Sequence, residues 1–189
     1  PRAWYYVSHV VGTALFVRAP FRSVVTTGTV LAEDGSKMSK SKGNYPDPWT
    51  VMERYGVDAI RFYLLGSPVM SADDLSFSEK GVQDVQRKVS MLLYNVHSFF
   101  RTYERGQVSG EQPESDDPLD RWLLARLAQL RGGATDSFDR YDTPRYCREV
   151  TGFVDDLSTW YLRRSRDRMK AGGEGAAAAV RKAQRRGVL

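Results

Sequence analysis

Three apolar stripes at helical spacing occupy the C-terminal part of this chain, and they leave little choice of fold class there. From Glu79 onward Val82, Val85, Val89, Leu92, Leu93, Val96, Phe99 and Phe100 recur at three- and four-residue steps, the pattern of one long amphipathic helix. Leu119, Trp122, Leu123, Leu127 and Leu130 repeat it, and Gly132-Gly133 is expected to end that second helix. The third stripe is Tyr146, Val150, Phe153, Val154, Leu157, Trp160 and Tyr161. It follows Thr143-Pro144, read as an N-cap with proline at the first helical position. Cys147 and His97 are expected to pack among these helices. With a charged, turn-rich linker over 106–118, the three helices form most of an antiparallel bundle.

The N-terminal part reads differently. Trp4 to Phe16 is aromatic and apolar, and with Gly12 in it reads as a buried helix able to pack closely on a neighbour. Ala19-Pro20 breaks it. Val24 to Leu31 is rich in β-branched residues and too short for a helix, so it is expected to be a core strand. The loop Lys37-Met38-Ser39-Lys40-Ser41-Lys42-Gly43-Asn44 follows, preceded by Gly35. Its three lysines lie within six positions with no acid among them and repel one another, so an anion is needed to settle it. A polyphosphate suits it: the hydroxyls of Ser39 and Ser41 can donate to phosphate oxygens or cap the next helix, and Met38 offers an apolar tether. A solvated basic turn would have much the same composition, so only the order of the residues distinguishes the two.

A helix, a strand and such a loop make an α/β arrangement with its ligand at the strand's carboxyl end. Tyr45-Pro46-Asp47-Pro48 is irregular. Trp49, Met52, Val57, Ile60, Phe62 and Leu64 then line apolar helix faces interrupted at Gly56, with Asp58 near the N-terminus of the second helix. Gly66-Ser67-Pro68 closes the unit, and 71–78 reads as a polar connector.

The chain of 189 residues starts without methionine, and both ends look cut from something longer. One cysteine excludes an intrachain disulfide, and with only two histidines no tetrahedral zinc site is spelled out. A reducing, cytoplasmic setting is expected. No apolar run approaches the roughly 20 residues that span a bilayer, so no membrane partner is expected. The net charge is +5, but from Trp160 to Leu189 nine Lys/Arg stand against Asp167 and Glu174, so the remainder is slightly acidic. The basic end is expected to meet a polyanion. Arg163, Arg164, Arg166 and Arg168 follow Trp160 and Tyr161 there, which offers cations for phosphates beside aromatics that belong either to the core or to base stacking. Asp155 and Asp156, about 100° apart on a helix, are read as partners for nearby arginines rather than an acid-base or metal pair.

Lys37-Met38-Ser39-Lys40-Ser41, continued by Gly43-Asn44, matches letter for letter the signature loop of the class I aminoacyl-tRNA synthetases. Asn44-Tyr45-Pro46-Asp47-Pro48, Tyr55-Gly56-Val57-Asp58-Ala59-Ile60-Arg61 and the run Phe153 to Arg166 narrow the likeness, and the chain resembles the isoleucyl-tRNA synthetases over about residues 2 to 170. The resemblance implies the α/β end of a Rossmann-type catalytic domain with its signature loop (1–66), a connector (67–80) and an all-α anticodon-binding helix bundle (81–189), mostly helical throughout. It implies an isoleucine–tRNA ligase that acts through an aminoacyl-adenylate. ATP is a substrate with its Mg2+, isoleucine and an isoleucine-accepting tRNA are the partners, the parent enzyme is monomeric, and no metal site lies in this piece.

By the same likeness Lys37 and Lys40 are the catalytic cations on the phosphates. Met38, Ser39, Ser41, Gly28 and Val30 line the ATP site, the last two through backbone atoms at adenine. Arg163, Arg164, Arg166, Arg168 and Trp160 face tRNA. Thr27 stands where many relatives have histidine, and Trp4 and Tyr5 match an aromatic pair near the active site or simply pack in a core. The family's histidine-rich motif is absent, so the chain alone is not expected to make the adenylate. A valyl or leucyl enzyme shares the loop and the layout. A tRNA-binding paralogue without catalysis is the rival of another class.

Overall fold

The computed structural model describes residues 2–103 and 115–170, with the side chains of Arg2, Ala3 and Lys40 outside the description. Most of the expected 106–118 linker and the alanine-rich, basic stretch after Lys170 also lie outside it. The chain is mostly helical, with two separate hydrophobic cores.

The smaller core sits beneath the loop. Strand β1 is only Val30–Leu31 and pairs in parallel with β2, Leu75–Ser76, in the register Val30 to Leu75 and Leu31 to Ser76. The expected core strand over 24–31 is thus cut to its last two residues, and Val24 and Val25 are exposed. The "polar connector" in turn contributes the partner strand, because Leu75 and Phe77 donate backbone N–H groups to the carbonyls of Thr29 and Leu31. Helices α2 (Pro48–Tyr55) and α3 (Val57–Leu65) meet at Gly56, whose φ of 86° is available to glycine at little cost. Asp47 caps α2 by accepting from the Trp49 and Thr50 N–H groups. Val51, Ala59, Ile60 and Val82 form the buried centre, with Met52, Tyr63 and Phe77 packed against it.

The larger core belongs to the bundle. Helix α4 (Glu79–Val85) continues through a π turn, Gln86–Ser90, into α5 (Met91–Tyr103). Val82 at its start is in the smaller core and Val89 is in the larger, so one rod of helix passes from one core to the other. Helix α6 spans Pro118–Asp139. Helix α7 (Thr143–Asp155) runs through a second π turn, Asp156–Leu162, into α8 (Arg163–Lys170). Val96, Phe100, Leu123, Leu127, Phe153, Leu157 and Tyr161 interlock between them, each large side chain contributing about 1.5–3 kcal/mol by leaving water.

Several expectations are corrected. Helix α1, Arg2–Phe16, forms but is not buried: Trp4 is 82% exposed, and Tyr6, Val10, Leu15 and Phe16 also face solvent. Only the turn that follows packs back on it among the described residues: the Phe21 ring lies edge-on to Tyr5, with centroids 5.9 Å apart, and 6.5 Å from the His9 ring, while Gly12, the one buried residue of the helix, sits close against the Pro20 ring. Gly132-Gly133 does not stop α6, which continues for six more residues with the carboxylate of Glu149 lying where a Gly133 Cβ would be. The N-cap of α7 is Asp142, which accepts from the Arg145 N–H at 3.1 Å. Thr143 instead donates its hydroxyl to the Leu65 carbonyl at the end of α3. His97 is exposed, since the stripe buries its neighbours Val96 and Phe100.

Cys147 does pack inside: it is 4% exposed, and burial pushes its thiol up to about 11. Asp156 pairs with Arg126 on α6, while Asp155 accepts from the Thr159 hydroxyl.

Candidate functional site

The loop after β1 is built on a tight turn. Ala32 donates to the Ser36 carbonyl, Gly35 donates back to Ala32 with a φ of 79°, and Lys37 bridges to Leu31. The Asp34 carboxylate accepts the Ser36 N–H, and this bond holds it below its ordinary value. Asn44 is the clasp: its side-chain carbonyl accepts the Ser39 N–H at 2.8 Å, and its amide donates to the Ser36 hydroxyl at 2.8 Å and the Lys37 carbonyl at 3.1 Å. Between them Lys40–Lys42 forms a 3-10 turn closed by Gly43, at φ 60°. The result is a small loop with fixed feet and an outward-facing crown.

On that crown Lys37, Ser41 and Lys42 are exposed, and the hydroxyls of Ser39 and Ser41 lie 2.8 Å apart. Among the described residues neither Lys37 nor Lys42 forms a salt bridge. The Lys40 side chain lies outside the description. Met38 turns the other way, into an apolar cavity of about 230 Å³ that it lines with Val30, Tyr45, Pro46, Ile60 and Phe77. This is the tether expected from the sequence. Gly28 fits against the backbone of Asp73, whose carbonyl oxygen a Cβ would overlap, and its N–H donates to the Val69 carbonyl at 2.8 Å. Gly28 and Val30 therefore flank the loop's foot, and packing already accounts for the glycine.

The second cluster lies on α8. The π turn before it adds backbone between Leu157 and Tyr161, so Tyr161 and Leu162 are both buried while Trp160 turns outward at 47% exposure. The Arg164 guanidinium stacks over the Trp160 ring at 3.8 Å, and that of Arg166 lies 5.7 Å from the Phe99 ring. Arg163, Arg164 and Arg166 are exposed.

Arg168 is turned inward instead. It reaches Asp117 at 2.7 Å and forms a bidentate pair with Asp120, which is fully buried and also accepts from the hydroxyls of Tyr161 and Ser115. Burial alone would raise the Asp120 carboxyl, but the donations from Arg168, Ser115 and Tyr161 outweigh it and hold it below the usual range. Arg168 thus closes the bundle, in contrast to the RNA-facing role expected for it. Only the partner list, not its spacing, distinguishes it from its neighbours.

No described group of three or more His, Cys, Asp or Glu is placed to hold a metal ion, and no described helix is long and apolar enough to cross a membrane.

A family model described as tRNA synthetases class I (I, L, M and V) matches residues 1–76, and one for the anticodon-binding domain of tRNA ligase matches residues 120–186. The chain belongs to the class I tRNA synthetases. Similar sequences include isoleucine–tRNA ligases: the chain is 45% identical over 168 residues to that of Bdellovibrio bacteriovorus, 42% over 172 to that of Chlamydia trachomatis serovar L2, and 42% over 173 to that of Corynebacterium efficiens. These alignments cover 87%, 88% and 92% of this chain, which spans 16% of the length of each relative. The fold is that of part of the agnB2 LeuRS of Agrobacterium radiobacter K84, solved as a ternary complex with tRNA and LeuAMS. That likeness has a TM-score of 0.63 and 20% identity, covering 94% of this chain and 23% of the other.

Proposed function

We propose that this chain is the part of an isoleucine–tRNA ligase that carries the signature loop and the tRNA-binding bundle, and that the whole protein joins isoleucine to its tRNA through an isoleucyl-adenylate. The observation that carries the loop's role is its crown: Lys37 and Lys42 exposed and in no salt bridge among the described residues, raised at the carboxyl end of β1 on feet pinned by Asn44. Lys37 and Lys40 hold the ATP phosphates, with Mg2+ accompanying the nucleotide. Ser39 and Ser41 donate to phosphate oxygens, Met38 anchors the loop beneath, and Gly28 and Val30 present backbone at the adenine end. As the isoleucine carboxylate attacks the α-phosphorus, negative charge gathers on the departing pyrophosphate, and a flexible lysine can follow it. The organisation is a catalytic end over 1–66, a connector over 67–80 and an RNA-binding bundle over 81–189. In the bundle Arg163, Arg164, Arg166 and Trp160 meet tRNA, in a protein that acts as a monomer in the cytoplasm.

ATP–pyrophosphate exchange by the full-length protein, with isoleucine, valine and leucine supplied separately, tests this. Strong exchange with isoleucine, weak with valine and none with leucine is expected, with Lys40→Ala slowing exchange far more than it weakens isoleucine binding. Strongest exchange with valine or leucine would identify one of those ligases instead. No exchange alongside retained tRNA binding would leave a non-catalytic tRNA-binding paralogue.

A further inference from the structure

Three glycines sit inside α6 and α7, and they differ in their surroundings. Gly133 makes room for the Glu149 carboxylate, whereas a Cβ on Gly152 would meet nothing within 4 Å, and the same holds at Gly132. A mid-helix glycine carries an entropic cost that alanine would avoid, and nothing in the packing around Gly152 accounts for it. Gly152 lines a groove of about 560 Å³ between α6 and α7, with Leu130 and Phe153 beside it and Arg126, Gln129, Arg145, Arg148 and Glu149 along the walls.

The charges of that groove are not equivalent. Arg126 is held by Asp156 at 2.8 Å and by Gln129, and Arg145 is held by Asp136 and Glu149. Arg148 is exposed on the rim and forms no salt bridge among the described residues. It also continues a ridge. Residues 148, 152, 156, 160 and 164 follow at steps of four along the single rod of α7, the π turn and α8. In an α-helix such a row drifts by about 40° per step, and the wider π turn between Asp156 and Leu162 offsets part of that drift. Arg148, Gly152, Trp160 and Arg164 are accordingly all exposed along it, with the Arg164–Trp160 stack at the far end.

We propose that the groove between α6 and α7 receives one strand of the bound RNA, a phosphate at Arg148 and the sugar-phosphate backbone against the bare main chain at Gly152, with the strand continuing toward Trp160 and Arg164. An unpaired guanidinium supplies the charge for a phosphate. A glycine in an otherwise regular helix lets a backbone approach where a side chain would stand it off. The proposal rests on the reading that this bundle binds tRNA.

The test is binding of an isoleucine-accepting tRNA transcript to the full-length protein over a range of salt concentrations. Gly152→Leu, which fills the groove, is expected to weaken binding by roughly tenfold, an ordinary loss for one displaced contact, and Gly152→Ala to raise the thermal midpoint, because the helix gains. Arg148→Gln is expected to lower the slope of log affinity against log salt by about one. Wild-type affinity and slope in both Gly152→Leu and Arg148→Gln, with binding still lost in Arg163→Gln/Arg164→Gln, would overturn the groove and leave the basic helix standing. No binding by the unaltered protein would overturn both.

Discussion

Asp120→Asn is the substitution whose effect the structure specifies most closely. The carboxylate is fully buried in the first turn of α6, and it takes two donations from Arg168, one from Tyr161 at 2.9 Å and one from Ser115 at 2.7 Å. An asparagine keeps one carbonyl oxygen for Tyr161 but turns an amide donor toward the Arg168 guanidinium, so a buried ion pair loses one partner. Such losses cost about 3–5 kcal/mol. Arg168 is 29% exposed on its side chain and retains Asp117, which places this loss at the lower end, about 3 kcal/mol including the helix-terminus contribution. For a chain of this size that is a fall of roughly 6–12 °C in thermal midpoint.

Urea denaturation of the 189-residue chain followed by circular dichroism, repeated from neutral to acid pH, measures it. Because the folded Asp120 carboxyl lies below its unfolded value, its contribution is complete above about pH 4 and is lost as the pH falls through the folded value. The gap between wild type and Asp120→Asn should therefore be constant from pH 7 to about 5 and narrow only in stronger acid. Arg168→Met added to Asp120→Asn should recover part of the loss, since the unpaired cation is removed with it. A gap below about 0.5 kcal/mol, or one that closes between pH 7 and 5, would refute the reasoning.

Gly132→Ala should stabilise α6 by about 0.5–1 kcal/mol, whereas Gly133→Ala should gain almost nothing because Glu149 must swing away and release Arg145; equal shifts in urea midpoint would contradict this. Asn44→Ala removes three loop bonds while leaving the lysines in place, so ATP–pyrophosphate exchange in the full-length protein should fall by about tenfold, the size of one or two lost hydrogen bonds, and unaltered exchange would mean that the clasp is dispensable. The Cys147 thiol, raised to about 11, should react with an aromatic disulfide only slowly at neutral pH and about ten times faster per pH unit below 11; fast reaction at pH 7 would place it outside the core.

The bundle was legible because its stripes are long and their 3.6-residue period is unambiguous, and the loop because the order of its residues is specific. What escaped has identifiable causes. A pair of glycines is a good stop signal only where helix packing does not extend past it, and here α6 lies along α7 beyond Gly133. Asp142 and Thr143 can both cap a helix, and the choice fell to Asp142 because Thr143 has a carbonyl of α3 to satisfy. The π turn is invisible to periodicity, yet it decides which of Trp160 and Tyr161 is buried. Arg168 is one arginine of a basic run in the sequence, and only the arrival of Asp120, 48 residues away, and of its neighbour Asp117 separates it from the rest. Val24 and Val25 have strand propensity but no strand beside them among the described residues. The apolar face of α1 likewise meets little beyond Pro20 and Phe21 in the described chain and stays largely exposed.

The end of α3 meets the start of α7 at a joint whose mechanics reach beyond its size. The Leu65 carbonyl accepts the Thr143 hydroxyl at 2.9 Å, and the Cys147 thiol faces the Phe62 carbonyl at 3.8 Å, with Gly66 close against the same cysteine. From that elbow α7, its π turn and α8 extend as one rod of about 40 Å. The rod is a pointer with its pivot at the elbow: a tilt of about 5° there carries the Lys170 end by about 3–4 Å, enough to gain or lose a hydrogen bond, while Arg148, close to the pivot, hardly moves. The two oxygen atoms at the end of α3 therefore set the aim of arginines they never touch.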